Sequence, residues 1–186
     1  MSAPKTSDWA RIKLVATDVD GVLTDATVIY GPQGELGKTF FIRDGMGLRL
    51  LEGAGVHVAV VTSEDSPLVA ARVNKLMLSA YRPGQKRKGE VMLELMREFG
   101  AKKSETVFIG DDVNDLEAFA AVGIPVAPCD AHSVNRKLAR FVTKEPGGRG
   151  CVREVADRIL AAKGLDSQEL WARLHPQSVS RDRGSV

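Results

Sequence analysis

Leu14-Val15-Ala16-Thr17-Asp18-Val19-Asp20-Gly21 joins an apolar run to two aspartates that are one residue apart. A short apolar run of this kind is typical of a buried parallel strand. Ligands of open α/β sheets bind beyond the carboxyl ends of the strands, so Asp18 and Asp20 are expected to leave the sheet where a substrate would lie. Two carboxylates this close repel each other and call for a cation or a shared proton. The alternative interpretation is a polar turn that begins at Asp20.

The same pattern occurs a second time, where Thr106-Val107-Phe108-Ile109 is followed by Gly110-Asp111-Asp112. In a parallel sheet both acidic clusters emerge at the same edge, and converging carboxylates are costly unless a metal is bound. Magnesium favours a few carboxylates together with phosphate oxygens. The three histidines of the chain form no metal-binding pair. The sequence therefore predicts a magnesium cofactor and a phosphate ester as the substrate.

Composition excludes several other classes of protein. The chain has 186 residues, 44% of them hydrophobic and 27% charged, which is typical of one soluble domain. A formal charge of +2 is too small to indicate a nucleic-acid partner. No apolar run has the length of a membrane span, and residues 1–13 contain no apolar leader, so we expect no membrane partner and a cytoplasmic location.

Strand and helix patterns alternate along the chain and predict a doubly wound parallel sheet, with a β-hairpin flap and no cap domain. Strands are expected at 12–17, 26–30, 38–42, 56–61, 106–109, 123–127 and near Phe141, and helices at 47–52, 67–76, 88–99, 116–121, 133–139 and 151–163. A single domain is predicted over 10–165. The ends, 1–9 and 176–186, are predicted to be flexible.

The motifs together resemble the haloacid dehalogenase superfamily of phosphohydrolases. The resemblance rests on Asp18-Val19-Asp20-Gly21-Val22, Thr62, Lys88 and Gly110-Asp111-Asp112 in that order. A closer similarity covers about residues 10–160 and is to the 3-deoxy-D-manno-octulosonate 8-phosphate phosphatase family, which includes phosphatases for nine-carbon ketodeoxy sugar acids. It is carried by the segments 18–25, 43–47, 84–85 and 147–150 and by Arg153-Glu154. The resemblance implies a capless phosphatase whose subunits close each other's site, in a homotetramer.

The aspartates that follow the two strands have expected roles. Asp18, the first off the strand, is the candidate nucleophile that forms an aspartyl-phosphate. Asp20 would protonate the leaving oxygen and then activate water. The resemblance implies the same roles and places Asp18, the carbonyl oxygen of Asp20, and Asp111 around the magnesium ion. Asp112 and Asp115 are expected to hold metal-bound waters or to orient Lys88, and the sequence does not separate these two roles.

Two further catalytic residues are expected from the resemblance. Thr62 would donate a hydrogen bond to a phosphoryl oxygen, and the alternative is a helix cap. Lys88 would neutralise the phosphoryl group, and the alternative is a solvated lysine at a helix start. Ser63 stands where many relatives have glycine.

Substrate choice is expected to involve Ser63, Glu64, Lys75 and Arg149. In relatives that act on eight-carbon acids the position of Glu64 is usually arginine, whereas glutamate with a lysine at the position of Lys75 resembles the nine-carbon group. This favours 2-keto-3-deoxy-nononate or N-acylneuraminate 9-phosphate, with 3-deoxy-D-manno-octulosonate 8-phosphate as the alternative. Arg149 lies in a glycine-rich loop whose exposed N–H groups could hold an anion. Outside the enzymes, a receiver-like signalling module and a catalytically inactive scaffold are the rival hypotheses.

Overall fold

The computed structural model of the chain describes residues 2–174. Six strands form a parallel sheet: β1 (Leu14–Thr17), β4 (His57–Val61), β5 (Ala80–Arg82), β6 (Thr106–Ile109), β7 (Ile124–Ala127) and β8 (Phe141–Val142). Their spatial order is β5-β4-β1-β6-β7-β8. Two more strands, β2 (Val28–Gly31) and β3 (Gly34–Lys38), pair antiparallel as a separate hairpin that follows β1 along the chain. The predicted fold class is confirmed.

The order of the strands locates the ligand-binding edge. After β1 the main sheet grows to one side through β4 and β5, and it then returns to add β6 on the other side of β1. The register pairs Thr17 with Ile109, so β1 and β6 end side by side. A crevice at such a switch point is where open α/β sheets bind ligands. The residues that directly follow these two strands are therefore the candidates for function.

Helices cover both faces of the sheet: α1 (Thr6–Ala10), α2 (Ile42–Gly53), α3 (Pro67–Leu76), α4 (Lys88–Glu98), α5 (Leu116–Ala121), α6 (Ser133–Leu138), α7 (Cys151–Ala162) and α8 (Ser167–Leu174). Side chains alternate across each strand, so Val15 faces the core under α2 and α7, whereas Leu14 and Ala16 face the core under α4 and α5. Within residues 2–174, no helix has both the length and the apolar character that crossing a membrane requires.

The structure differs from the sequence prediction at the ends of the domain. Residues 1–9 were expected to be flexible, but α1 begins at Thr6 and Trp9 is 1% exposed. The Trp9 ring packs edge-on against Phe141, and this burial fixes the segment on the domain. At the other end α8 follows the predicted boundary at 165, with Leu170 buried. The flexible end predicted at 176–186 lies outside the described residues.

The hairpin also differs from its prediction. Its turn closes between Gly31 and Gly34, so β3 ends at Lys38 instead of running over 38–42. The following residues turn into α2, which begins at Ile42 and not near residue 47. Phe40 therefore packs against the core of the domain and does not belong to the hairpin.

Candidate active site

Three carboxylates meet at the carboxyl ends of β1 and β6. Asp18 follows β1, Asp111 lies in the loop after β6, and Asp115, six residues after β6 ends, lies in a 3₁₀ turn. One oxygen from each lies within 4.8 Å of the others. Gly21 permits this approach, because its φ is +81° and a Cβ there would overlap the Asp111 carboxylate.

Lys88, the first residue of α4, lies beneath this cluster. Its ammonium contacts Asp18 Oδ2 at 2.7 Å and Asp115 Oδ1 at 2.6 Å, and its side chain is fully buried. The carboxylates of Asp18, Asp111 and Asp115 together with the ammonium of Lys88 carry a formal charge of −2 when all four groups are ionised. Burial and the neighbouring carboxylates raise the pKa of Asp18 to about 7 and that of Asp111 to about 7. A divalent cation would remove this repulsion.

The donor set fits magnesium. All three groups are carboxylates, which are hard oxygen ligands, and their oxygens are close enough to share one ion. The formal charge of −2 on the cluster is balanced by the +2 charge of one magnesium ion. A softer metal would favour histidine or cysteine, and neither occurs in this cluster.

Asp18 is held at both oxygens. Its Oδ1 accepts a hydrogen bond of 2.7 Å from the N–H of Val19, and its Oδ2 contacts the ammonium of Lys88. The residue is 4% exposed. These two contacts fix the side chain and leave a further lone pair on each oxygen, as a nucleophilic or metal-binding carboxylate requires.

Asp115 and Asp112, which the sequence left undecided, have different surroundings. Asp115 is fully buried, and its Oδ1 contacts Lys88 while its Oδ2 accepts a hydrogen bond of 2.9 Å from the N–H of Asp111. Asp115 therefore orients both the Lys88 side chain and the backbone of Asp111. Asp112 is exposed, and its Oδ1 accepts only from the N–H of Val113 among the described residues.

A cavity of about 390 Å³ lies above the acidic cluster. Seven of the residues predicted to form the site line it: Asp18, Asp20, Thr62, Ser63, Glu64, Asp111 and Asp112. Lys88 and Asp115 lie buried below the cavity. The strand ends thus bring the predicted catalytic residues together.

Asp20 lines this cavity, and its carboxylate is held by Lys38 and Thr24. Both of its carboxylate oxygens accept hydrogen bonds of 2.7 Å from the ammonium of Lys38, on β3. The hydroxyl of Thr24 lies 3.3 Å from its Oδ1. The hairpin therefore contacts the loop of residues 18–24, which we call the catalytic loop because it carries the predicted catalytic residues Asp18 and Asp20. No local sequence pattern indicates this contact.

The loop after β4 supplies further polar groups that line the cavity. Thr62 is 1% exposed, and its Oγ1 accepts only the N–H of Glu64, at 3.3 Å, among the described residues. Its hydroxyl proton therefore remains able to donate into the cavity. The Ser63 hydroxyl donates to the carbonyl of Gln85 at 3.2 Å. Glu64 is exposed, with its carboxylate 3.8 Å from Lys86 Nζ.

Two predicted substrate residues do not line the cavity. Lys75 is exposed near the far end of α3. Arg149 is largely exposed and lies 3.6 Å from Asp25. The expectation that the N–H groups of the 147–150 loop hold an anion is wrong, because all four already donate within the protein, to Asp130, Val22, Pro146 and Asp44.

The 147–150 loop instead supports the catalytic loop. Gly147 contacts Gly21 so closely that a Cβ would overlap the Gly21 carbonyl. Asp44, 1% exposed, accepts hydrogen bonds from the N–H groups of Gly150 and Arg153 and so fixes the start of α7. The side-chain amide of Asn135 donates a hydrogen bond of 2.7 Å to the carbonyl of Asp112. Sequence reasoning assigned no role to Asp44 or Asn135, because such contacts have no local signal.

Comparison with known proteins shows the family to which the chain belongs. The family of haloacid dehalogenase-like hydrolases matches residues 35–123. The 3-deoxy-D-manno-octulosonate 8-phosphate phosphatase of Haemophilus influenzae is 40% identical over 157 residues, covering 84% of this chain and 87% of the relative. The chain belongs to the haloacid dehalogenase-like hydrolases. Within them it belongs to the family of these phosphatases, so the resemblance seen in the sequence is confirmed, as is the prediction of a phosphoric monoester hydrolase.

Solved structures of this hydrolase family have the same fold as this chain. The cobalt-bound octulosonate 8-phosphate phosphatase of Haemophilus influenzae superposes with a TM-score of 0.84 at 38% identity, covering 88% of this chain and 98% of the other. The enzyme of Moraxella catarrhalis, in complex with magnesium, phosphate and the eight-carbon acid, gives a TM-score of 0.84 at 32% identity and covers 91% and 97%. The magnesium in that relative and the acidic cluster of this hydrolase both support the predicted cofactor.

Proposed function

We propose that this hydrolase removes phosphate from a ketodeoxy sugar acid phosphate through an aspartyl-phosphate on Asp18. The observation that carries the proposal is the buried Lys88 beneath Asp18, Asp111 and Asp115, at the floor of a cavity. Asp18 and Asp111 would hold magnesium with the carbonyl oxygen of Asp20. The bound ion would neutralise negative charge on the phosphoryl group and on the carboxylates.

The reaction divides into two displacements at phosphorus. In the first, an oxygen of Asp18 bonds to phosphorus while the ester bond breaks, and Asp20 donates its proton to the departing sugar oxygen. In the second, Asp20 removes a proton from water, the water oxygen bonds to phosphorus, and the bond to Asp18 breaks. Lys88 and the hydroxyl of Thr62 would stabilise the charge on the phosphoryl oxygens in both steps. Asp112 would hold metal-bound water, since its carboxylate lines the cavity.

Two substrates of this class are supported by different observations. The relatives named above act on the eight-carbon 8-phosphate, which makes this acid the first candidate. Glu64 favours the nine-carbon 9-phosphates expected from the sequence, because it lines the cavity and its carboxylate can accept hydrogen bonds from sugar hydroxyls. Lys75 would then contact the site of a neighbouring subunit, because it lies outside the cavity of its own chain.

The hairpin supports assembly into a homo-oligomer, and we propose a tetramer. The apolar residues it exposes are Ile29, Tyr30 and Leu36, at 54%, 69% and 63% exposure. Ile42, directly beyond the hairpin, is 77% exposed. A cluster of large exposed apolar side chains is typical of a protein interface. Light scattering at micromolar concentration is expected to show a tetramer, and an active monomer would refute this part of the proposal.

A phosphate-release assay tests the activity and its metal requirement. The purified protein should hydrolyse ketodeoxy acid phosphates with magnesium and lose activity in excess chelator. Steady turnover excludes both the inactive scaffold and a receiver-like module. Activity that persists unchanged in chelator would contradict the magnesium site.

Glu64→Arg tests the choice of substrate. If Glu64 favours the nine-carbon acid, the ratio of kcat/KM for the nine- and eight-carbon substrates should fall about ten- to a hundredfold, the usual range for one polar change in a pocket. Glu64→Gln removes the charge at similar size and should give a smaller shift. An unchanged ratio in Glu64→Arg would leave the eight-carbon substrate as the better supported candidate.

A further inference from the structure

A chain of polar contacts connects the β2–β3 hairpin to the catalytic cavity. The ammonium of Lys38 donates to both carboxylate oxygens of Asp20 at 2.7 Å and lies 3.6 Å from Glu35 Oε1. The second oxygen of Glu35 accepts a hydrogen bond of 2.5 Å from the hydroxyl of Ser66. Ser66 is the residue directly before α3 and is 2% exposed. One hairpin side chain thus contacts the catalytic loop, and another fixes the hairpin against the main domain.

The burial of Lys38 indicates that this contact is specific. Its side chain is 1% exposed, whereas the paired side chains of Asp20 and Glu35 are 30% and 21% exposed. A buried ammonium is tolerated only when it is paired and hydrogen-bonded, and removal of its partners would be strongly unfavourable. Lysines on an antiparallel hairpin ordinarily extend into solvent. Lys38 instead is shielded from solvent and reaches Asp20 at the edge of the cavity.

This contact determines where the Asp20 carboxylate lies. Asp20 is the second residue after the nucleophile and belongs to a loop whose backbone is fixed, because Val22, Leu23 and Thr24 all donate to the carbonyl of Val19. The remaining freedom is in the Asp20 side chain, and two groups restrict it: the bidentate ammonium of Lys38 and the hydroxyl of Thr24. Lys38 supplies the shorter contacts.

We propose that Lys38 is a positioning residue for Asp20, and that it makes the catalytic rate depend on the placement of the hairpin. The proposal rests on the proposed function, in which Asp20 transfers the proton. Lys38 holds the carboxylate against the cavity wall and has no direct role toward the phosphoryl group. Glu35 and Ser66 hold Lys38 and the hairpin in place. A change in the hairpin would then alter proton transfer without altering the binding of phosphate.

The test is a double-mutant cycle between Lys38→Met and Asp20→Asn, measured on a sugar acid phosphate. Lys38→Met alone should lower kcat about ten- to a hundredfold, the usual cost of a misplaced catalytic group, with KM changed less than about threefold. In the Asp20→Asn background the same substitution should lower kcat by less than about threefold, because there is no acid left to position. Lys38→Arg, which keeps the charge, should recover part of the rate.

Leaving-group dependence provides a second readout. In single-turnover measurements with p-nitrophenyl phosphate, whose leaving group needs little protonation, Lys38→Met should slow release of the phenolate less than it slows release of an alkyl sugar. Lys13→Met is the matched control, because it breaks an ion pair with Glu105 at the opposite end of β1 and should leave both rates unchanged.

Several results would overturn the proposal. Additive losses in the double mutant would show that Lys38 acts independently of Asp20. A raised KM with unchanged kcat would make Lys38 a substrate-binding residue. Equal slowing for both leaving groups would exclude a role through proton donation. Loss of turnover in Asp18→Asn, measured in parallel, tests the proposed function separately, so the two failures can be distinguished.

Discussion

Replacing Lys88 by methionine should destabilise the protein as well as inactivate it. The ammonium lies 2.7 Å from Asp18 and 2.6 Å from Asp115 and is fully buried. When Asp111 is counted with these groups, loss of the Lys88 ammonium changes the formal charge of the cluster from −2 to −3. Removing one partner of a buried ion pair typically costs about 3–5 kcal/mol. This is a large part of the roughly 5–15 kcal/mol that stabilises a typical domain.

The assay is urea unfolding followed by circular dichroism, with and without magnesium. In chelator, Lys88→Met should lower the free energy of unfolding by about 3–5 kcal/mol, and Lys88→Arg by less, because the charge is kept. Magnesium should recover more stability in Lys88→Met than in the wild type, since the site is more negative. The control Lys13→Met removes a pair whose lysine is 53% exposed and should cost less than about 1 kcal/mol. Equal losses in Lys88→Met and Lys13→Met would refute this account of the buried cluster.

Two further predictions concern residues that support the site. Gly21→Ala should weaken magnesium binding, because the added Cβ would displace the Asp111 carboxylate. Gly55→Ala is the control, since Gly55 has a similar φ of +74° but open space around the added Cβ. Calorimetry should find weaker magnesium binding only in Gly21→Ala, and equal affinities in the two variants would refute the contact. Burial raises the pKa of Asp44 from 3.8 to about 6, so the folded state binds the proton more tightly than the unfolded state. The contribution of Asp44 to the free energy of unfolding therefore falls as the pH rises from about 4 to about 6, by up to about 3 kcal/mol. Asp44→Asn should flatten the pH dependence of the unfolding free energy in that window, and an unchanged profile would contradict it.

The sequence predicted the elements whose signal is local. The apolar runs at Leu14–Thr17 and Thr106–Ile109 are buried on both faces of a parallel sheet, so each reads as a continuous hydrophobic segment that ends in aspartate. The side-by-side placement of Asp18 and Asp111 then follows from the switch point between these strands. For this reason the amino-acid sequence alone predicts both the acidic cluster and the doubly wound fold.

The parts that the sequence did not predict depend on contacts between distant residues. Lys38 lies 18 residues from Asp20, and its pattern at the edge of a β-rich run is that of an ordinary surface lysine. Asp44 contacts backbone groups more than 100 residues away. Strand β5, Ala80–Arg82, is only three residues long and too short for periodicity to reveal. Trp9 defines α1 only through its packing against the core.

The most direct measurement is the search for a phosphoryl group on Asp18. The variant Asp20→Asn should still accept the phosphoryl group but hydrolyse the intermediate slowly, because the base that activates water is lost. After mixing with substrate and magnesium and quenching in acid, peptide mapping by mass spectrometry should find the phosphoryl group on Asp18. It should be absent in Asp18→Asn. A phosphoryl group on another residue, or more than about a hundredth of the wild-type rate in Asp18→Asn, would contradict nucleophilic attack by Asp18.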